Sequence, residues 1–191
     1  NKKVFGMPAQ AAVIIGTFLA LPIIYLLINQ NQVMDVLLGV IGGGMILYML
    51  ALSFKYEKVQ RQRIWVIIVL LAFTTMFWTF FELAGSALNL FTEKNVTKNL
   101  WGIPLETSNF QSFNPLFIFL FAPLFSWMWT KLSRAKVEPA APVKFAFGLI
   151  LLGVGFLVLN LGSGSAILGV IPAIFIVLLY LFHTLGELAI S

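Results

Sequence analysis

Two glutamates, Glu82 and Glu187, lie within long apolar stretches of this 191-residue chain. A charge at the centre of a bilayer costs about 2.5–3.5 kcal/mol even on lenient scales, so such residues face a protein interior or a watery cavity. No Lys or Arg lies well inside any apolar stretch. The two carboxylates are therefore predicted to find cationic partners elsewhere or to take up protons. The alternative is a purely structural role, as a neutral acid or within an ion pair.

Both glutamates belong to sets of polar residues that recur at spacings of three and four. The sets are Thr75, Trp78, Glu82, Ser86 and Asn89, and then Tyr180, Thr184, Glu187 and Ser191 with His183 beside them. This spacing places each set on one helix face, which predicts that the face meets protein or water rather than lipid. Carboxylate, aromatic and hydroxyl groups together suit a cavity wall, although Trp78 and Phe81 could equally serve packing.

Two further polar residues are candidates for chemistry. Histidine titrates near neutral pH, so His183 could carry a proton, or it could be an interhelical hydrogen-bond partner. His183 and the two glutamates could ligate a metal, but no close His/Glu spacing within a segment favours this, and we predict no metal site. Asn114 offers an amide that could bind a ligand or cap a helix just before Pro115.

The composition decides the environment of these residues. Apolar residues make up 60% of the chain, charged residues 10%, and the mean hydropathy is +0.99. A soluble domain carries about 25% charged residues. The net charge of +5 could indicate a nucleic-acid binder, but the cations lie in short loops rather than along one helix face. Cysteine is absent, which excludes disulfides and thiolate chemistry. The chain is predicted to be embedded in a membrane.

Six apolar stretches predict an all-α fold, a polytopic membrane helical bundle. They cover roughly 11–29, 33–54, 64–91, 110–130, 143–160 and 171–191. A helix needs about 20 residues to cross a hydrocarbon core about 30 Å thick. Backbone polar groups inside lipid have to be satisfied within the segment, which favours helices. None of the stretches shows the alternation of a barrel strand.

The positive charges predict an orientation. Ten of the 12 Lys and Arg residues lie before the first stretch or in the second and fourth loops, and only Lys94 and Lys98 lie in the third. Cytoplasmic loops carry an excess of Lys and Arg. The N-terminus and the even-numbered loops are therefore predicted to be cytoplasmic.

Three motifs in the second half resemble a known family. FWTFFELAGS at 77–86, followed by LNLF at 88–91, is similar to the seventh transmembrane helix of the proton-dependent oligopeptide transporters, the POT/PTR family of the major facilitator superfamily. FQSFNPLF at 110–117 with Ala122 and Pro123 resembles the eighth helix, and HTLGEL at 183–188 with Ser191 the tenth. The family commonly has Gln at the position of Leu83. The motifs cover about 63–191, and we expect the chain to be a fragment of a longer transporter.

The resemblance implies a bacterial major-facilitator transporter in the cytoplasmic membrane that imports di- and tripeptides with protons. Residues 1–58 would be a helical hairpin between two bundles, and residues 59–191 the first four helices of the C-terminal bundle. The N-terminal bundle would be the partner of this chain. Protons would be the coupling ion, and no other cofactor is expected.

The resemblance also assigns roles to residues. Glu82 and Glu187 would couple protons and gate the cavity by pairing with basic residues of the N-terminal bundle. The residues expected to bind substrate are Trp78, Phe81, Asn114, Glu187 and Ser191, with Asn114 and Glu187 at the peptide amino terminus.

Three other interpretations are considered. A major-facilitator transporter of sugars or drugs would explain the topology and the carboxylates but not the three motifs. A membrane-embedded enzyme could use Glu82, Glu187 and His183 as an acid–base set, but no nucleophile motif or metal cluster supports it, and we predict that the protein is not an enzyme. A purely structural membrane subunit would leave the polar faces without a role.

Overall fold

The computed structural model describes residues 3–4, 7–166 and 169–191, so Lys2, used in the charge count, lies outside the described part. The helices are α1 (Ala9–Asn29), α2 (Asn31–Ser53), α3 (Lys58–Phe81), α4 (Ala87–Asn95), α5 (Thr107–Gln111), α6 (Phe113–Arg134), α7 (Ala141–Gly164) and α8 (Ala173–Ile190). A 3₁₀ turn, Glu82–Gly85, separates α3 from α4. Two short antiparallel pairs complete the described elements: β1 (Lys3–Val4) with β2 (Met7–Pro8), and β3 (Asn99–Leu100) with β4 (Ile103–Pro104).

The prediction of six membrane-crossing segments is confirmed within the described residues. Six helical spans are long and apolar enough to cross a bilayer, namely Ala9–Leu27, Gln32–Ser53, Lys58–Gly85, Thr107–Arg134, Ala141–Gly164 and Ala173–Ile190. Backbone hydrogen bonds inside each span satisfy groups that lipid cannot. The fold is a polytopic all-α membrane bundle, as the composition predicts.

The chain forms two compact units, residues 1–68 and 69–191. In the first unit, α1 and α2 are joined at Gln30, whose N–H donates to the Leu26 carbonyl at 3.0 Å. Most described side chains of this unit are exposed, as expected for helices whose solvent is lipid. The predicted boundary at residue 58 between hairpin and bundle stays a prediction.

In the second unit, α7 and α8 pack closely because α7 presents glycines to the side chains of α8. A Cβ built on Gly148 would lie 2.5 Å from Ile190 Cγ2, and one built on Gly155 would lie 2.8 Å from His183 Cδ2. Seven residues further along α7, a Cβ built on Gly162 would lie 2.6 Å from the Phe175 ring. Glycines spaced by seven residues therefore let the α8 side chains fill the space on one face of α7, a known mode of close helix approach in membranes.

The third apolar stretch, predicted as a helical segment over roughly 64–91, is helical but is not one continuous α-helix. After Phe81 the backbone tightens into the 3₁₀ turn and then departs from helical geometry at Ser86 (φ −125°, ψ −96°). Gly85 and Ser86 are weak helix formers. The freed Ala84 carbonyl accepts a hydrogen bond from the Tyr180 hydroxyl at 3.4 Å, so the break is compensated from α8.

The fourth stretch is also divided, at Ser112 between α5 and α6. The physical reason is Pro115, which has no N–H to donate to the carbonyl of Gln111 four residues earlier. The Ser112 N–H instead donates to Asn109, and α6 restarts with Leu116 donating to the Ser112 carbonyl at 3.2 Å. This division fixes the direction from which Asn114 leaves the backbone.

The start of α8 is tied to the end of α4. The Ile171 N–H donates to the Asn95 carbonyl at 2.7 Å, and the Thr97 N–H donates to the Ile171 carbonyl at 2.9 Å. The Thr97 hydroxyl then accepts from the Ala173 N–H at 2.9 Å. These bonds satisfy backbone groups that a helix start leaves free, and they position α8 relative to the broken third segment.

Candidate functional site

Asn114 connects α6 to α8. Its Nδ2 donates to Thr184 Oγ1 at 3.0 Å and to Glu187 Oε2 at 3.3 Å. Ser112, not Asn114, precedes α6, so the alternative in which Asn114 caps this helix is wrong. Thr184 can accept because its own hydroxyl proton is donated to the Tyr180 carbonyl at 2.7 Å. The amide carbonyl of Asn114 remains available as an acceptor.

Glu187 is half-buried on α8, three residues after Thr184. Among the described residues, no Lys, Arg or His side chain lies within 4.0 Å of its carboxylate. The single side-chain hydrogen bond recorded to it within the described part comes from Asn114. Glu187 therefore presents a carboxylate with spare acceptor positions, as the sequence predicts for an acidic residue without an intramembrane cation.

A cleft of about 220 Å³ lies beside this pair, within the second unit. Three elements form its wall: the end of α3 with the 3₁₀ turn, the α5–α6 junction, and α8. The lining residues are Phe81, Glu82, Ala84, Gly85, Gln111, Asn114, Tyr180 and His183. The cleft thus brings Glu82 and Phe81 together with Asn114, three residues predicted to belong to one site from separate motifs.

Glu82 is the first residue of the 3₁₀ turn and is exposed. No basic side chain of the described residues lies within 4.0 Å of its carboxylate. Because the helix ends at Phe81, the predicted single stripe from Thr75 to Asn89 is interrupted: Ser86 and Asn89 follow a change of backbone direction. The stripe prediction is therefore wrong beyond Glu82, although the turn itself still faces the cleft.

The aromatic candidates divide. Phe81 lines the cleft, whereas Trp78 is 39% exposed and does not line it. The Trp78 ring packs edge-on against Phe77 and Phe81, with centroids 5.6 and 5.2 Å apart. Ser191 is exposed, and its hydroxyl donates to the Glu187 backbone carbonyl at 2.8 Å. The substrate roles predicted for Trp78 and Ser191 stay predictions, and neither residue is brought to the cleft.

His183 is 1% exposed and its two ring nitrogens have no hydrogen-bond partner among the described residues. Its ring packs 4.9 Å from Phe156 and 6.1 Å from Phe81, centroid to centroid. The backbone of Leu152 on α7 comes near the ring without meeting hydrogen-bond geometry. Buried polar groups are nearly always paired, and the interhelical hydrogen-bond role considered for His183 stays a prediction.

Three residues in or beside the cleft were not assigned a site role from the sequence: Gln111 and Tyr180, which line it, and Thr184, which accepts a hydrogen bond from Asn114. Tyr180 and Thr184 belong to the polar face of α8, which was the available signal for both. Gln111 lies within the second motif, but only the division of the helix at Ser112 turns it toward the cleft. Among the described residues, no three His, Cys, Asp or Glu side chains come close enough together to hold a metal ion.

Comparison with known proteins matches one family over most of the chain. The sequence profile described as the POT family matches residues 15–191. The peptide transporter YePEPT of Yersinia enterocolitica is 36% identical over 173 residues, which are 86% of this chain and 33% of that protein. Dipeptide and tripeptide permease B of Xenorhabdus bovienii is 30% identical over 181 residues, covering 94% of this chain and 37% of the permease.

A solved structure shares the fold. The crystal structure of a peptide transporter POT in complex with sulfate superposes with a TM-score of 0.71 at 32% identity, over 96% of this chain and 38% of the other. The chain thus spans about a third of the length of the relatives it matches.

Proposed function

This chain belongs to the POT family, and from that premise we propose that the full-length protein carrying it imports di- and tripeptides together with protons. The described residues supply part of one wall of the substrate cavity. The N-terminal bundle, expected to lie outside this chain, supplies the opposite wall and the basic partners of Glu82 and Glu187. Residues 1–58 form the hairpin between the two bundles.

The observation that carries the proposal is the Asn114–Glu187 pair beside the cleft. The α-ammonium of a peptide presents three donors and no acceptor, like a lysine head group. The Glu187 carboxylate has spare acceptor positions, and the Asn114 amide carbonyl is a second acceptor on the neighbouring helix. Two acceptors on separate helices favour a charged amine over a sugar hydroxyl, because a hydroxyl does not offset the charge of an unpaired carboxylate. Phe81 supplies apolar surface for the peptide side chains within the cleft, and Trp78, packed against Phe81, extends this surface outside it.

The proposed proton coupling is based on the lack of a basic side chain near Glu82 or Glu187 among the described residues. A carboxylate next to a cation stays ionised, and it takes up a proton when the cation moves away, because an isolated charge in a low-dielectric site is costly. Glu82 faces the cleft, and Glu187 reaches it through Asn114. Peptide binding and proton binding therefore act on the same small set of charges and shift the populations of outward- and inward-open states.

The transport step is alternating access, with two bundles rocking around a midplane site. The charge asymmetry of the loops supports an orientation with the N-terminus of this chain in the cytoplasm, and the bacterial relatives support the cytoplasmic membrane. Of the other interpretations, a major-facilitator transporter with a different substrate remains the alternative, because it uses the same topology.

The test is uptake of a labelled dipeptide into liposomes that contain the full-length protein, with and without an inward proton gradient. We expect gradient-driven uptake that unlabelled di- and tripeptides compete and single amino acids or glucose do not. Absence of gradient-driven peptide uptake, or competition by glucose alone, would overturn the proposal.

A pair of variants tests the assigned carboxylate. Glu187→Gln keeps the shape but removes the charge and should abolish gradient-driven uptake. Glu106→Gln changes an exposed acid that precedes α5 and should leave uptake unchanged. Full gradient-driven uptake by the Glu187 variant would remove this residue from the mechanism.

A further inference from the structure

The end of α6, the start of α7 and the loop between them carry a cluster of charged and aromatic side chains. Lys144 Nζ donates to Glu138 Oε1 at 2.6 Å and lies 4.3 Å from the centroid of the Trp129 ring. The Trp129 indole N–H donates to the Leu188 carbonyl at 3.4 Å, which anchors this ring to α8. Hydrogen bonds from Lys144 and then from Ser133 hold the pKa of Glu138 below its usual range. Glu138 is therefore ionised and compensated by Lys144.

The end of α6 holds a lysine in an unusual conformation. Lys136 has φ +57°. Its N–H donates to the Ser133 carbonyl at 3.0 Å, and the next N–H, of Val137, donates to the Leu132 carbonyl at 3.1 Å. This bonding pattern is a Schellman motif, in which glycine is the usual residue at the position of Lys136. The motif holds the Lys136 backbone in a defined place beside the last turn of α6.

Three cations at the end of α6 and just after it have no acidic partner among the described residues. Lys131, Arg134 and Lys136 are exposed, and no carboxylate of the described residues lies within 4.0 Å of them. Lys131 Nζ lies 4.9 Å from the centroid of the Trp127 ring, which is 60% exposed. The half negative charge at the carboxyl end of α6 offsets only a small part of three positive charges. The cluster thus keeps a net positive charge after its internal ion pair is counted.

A cleft of about 340 Å³ opens at this cluster, lined by Trp129, Thr130, Ser133, Arg134 and Glu138. The Thr130 hydroxyl already donates to the Ser126 carbonyl at 2.8 Å, so the free donors of the cleft are those of the Arg134 guanidinium. A guanidinium presents five donors in a planar fork that matches a phosphate. The cleft therefore combines a phosphate-binding fork with a surrounding positive field.

The cluster is also expected at the depth of lipid headgroups. It connects the end of one membrane-length helix to the start of the next. Tryptophan rings with lysines extending along them are typical of the membrane–water interface. The charge asymmetry of the loops predicts that this is the cytoplasmic side, where basic segments next to a span attract anionic lipids.

We propose that this cleft binds the headgroup of an anionic phospholipid, with the Arg134 guanidinium on the phosphate, Lys131 and Lys136 adding positive charge, and the two tryptophan rings against the glycerol region. Anionic lipid is favoured over a zwitterionic lipid because Lys131, Arg134 and Lys136 keep the cluster positively charged after Lys144 has paired with Glu138. The inference depends on membrane insertion of α6 and α7 and not on the transported substrate.

The test measures lipid binding by the purified full-length protein in detergent, with native mass spectrometry during titration with phosphatidylglycerol, phosphatidylethanolamine or phosphatidylcholine. The test variant is the double change Lys131→Gln and Arg134→Gln. The matched control is Lys94→Gln and Lys98→Gln, two exposed lysines of the third loop. Each Lys or Arg near an anionic lipid surface contributes about fivefold in affinity, from roughly 1 kcal/mol per cation. We expect the test variant to bind phosphatidylglycerol about 25-fold more weakly and the control to change less than twofold.

Three outcomes would overturn the proposal. Equal loss of phosphatidylglycerol in both double variants would indicate a general charge effect rather than a site. Binding of phosphatidylethanolamine or phosphatidylcholine by the wild-type protein as tightly as phosphatidylglycerol would remove the preference for anionic lipid. Displacement of the lipid by millimolar inorganic phosphate would assign the cleft to free phosphate instead. Dipeptide uptake, measured separately, reports on the proposed transport function and not on this site.

Discussion

Replacing Gly155 with alanine tests the packing of α7 on α8. The added Cβ would lie 2.8 Å from His183 Cδ2, 3.1 Å from His183 Nε2 and 3.2 Å from the Leu179 carbonyl. The first distance is shorter than carbon atoms tolerate, and moving the ring away would disturb its packing against Phe156 and Phe81. Overpacking of this kind costs about 1–3 kcal/mol.

Gly153, two residues earlier on the same helix, is the matched control. A Cβ built on Gly153 meets no atom within 4 Å. Both glycines are helical, so the gain of helix propensity on changing glycine to alanine, about 0.5–1 kcal/mol, cancels when the two variants are compared. The difference between them isolates the clash. We expect the Gly153 variant to match or exceed the wild type in stability and the Gly155 variant to be less stable than the Gly153 variant by about 1–3 kcal/mol.

The assay is thermal unfolding of the full-length protein in detergent, followed by tryptophan fluorescence. A difference of 1 kcal/mol corresponds to about 2–4 °C for 150–250 residues and to less in a longer protein. Combining the Gly155 change with His183→Ala should recover part of the loss, since the ring is the main obstacle, and such coupling is measured by a double-mutant cycle. Equal midpoints for the Gly153 and Gly155 variants, or additive effects of the Gly155 and His183 changes, would refute this account of the interface.

Three further predictions concern single side chains. Asn114→Ala should raise the KM for a dipeptide about tenfold or more, because a hydrogen bond to a charged group is worth about 1.5–3 kcal/mol. Asn109→Ala, at an exposed position of α5, should leave the KM unchanged in the same uptake assay. Equal KM values for the two variants would refute the assignment of Asn114. Because the pKa of Glu138 is lowered in the folded protein, its stabilising contribution is present above the unfolded value and is lost as the pH falls through the folded one. The melting midpoints of the wild type and Glu138→Gln should therefore differ near neutral pH and converge as the pH falls through the lowered pKa of Glu138. A pH-independent difference would contradict this. Lys136→Gly should raise the free energy of unfolding by about 1 kcal/mol because glycine has no Cβ to strain at positive φ, and a lower melting midpoint would contradict it.

The membrane spans could be predicted from the sequence because they depend on composition and length alone. Six long stretches with few charges are compatible with lipid as the solvent, and in lipid each stretch has to form a helix to satisfy its backbone polar groups. The division of the third and fourth stretches could not be predicted with the same ease. Pro115 is visible in the sequence, but the break near Gly85 depends on Tyr180 reaching the Ala84 carbonyl from a helix about 96 residues away.

The candidate site shows the same limit. Glu82, Glu187 and Asn114 stand out because polar residues in apolar stretches are costly, and the structure places all three at or beside one cleft. The resemblance places Asn114 and Glu187 at one end of the peptide. Their direct hydrogen bond could not be predicted, because the distance between them depends on how α6 crosses α8. The glycines at 148, 155 and 162 are evenly spaced in the sequence, but this spacing does not identify α8 as the helix that packs against them.

The backbone bonds that join residues 95–97 to the start of α8 have a mechanical consequence. They fix the start of α8, and the glycine contacts with α7 fix the rest of this helix. We therefore expect α7 and α8 to move as one rigid pair, with Glu187 near the end of α8. Asn114 lies on the other side of the Glu187 hydrogen bond, on a helix that restarts at a proline-induced break. If the proposed peptide binding strains this contact, we expect α6 to move at its break and the α7–α8 pair to stay in place. Displacement of α6 should then strain the Trp129–Leu188 hydrogen bond near its other end and move Arg134 at the membrane surface.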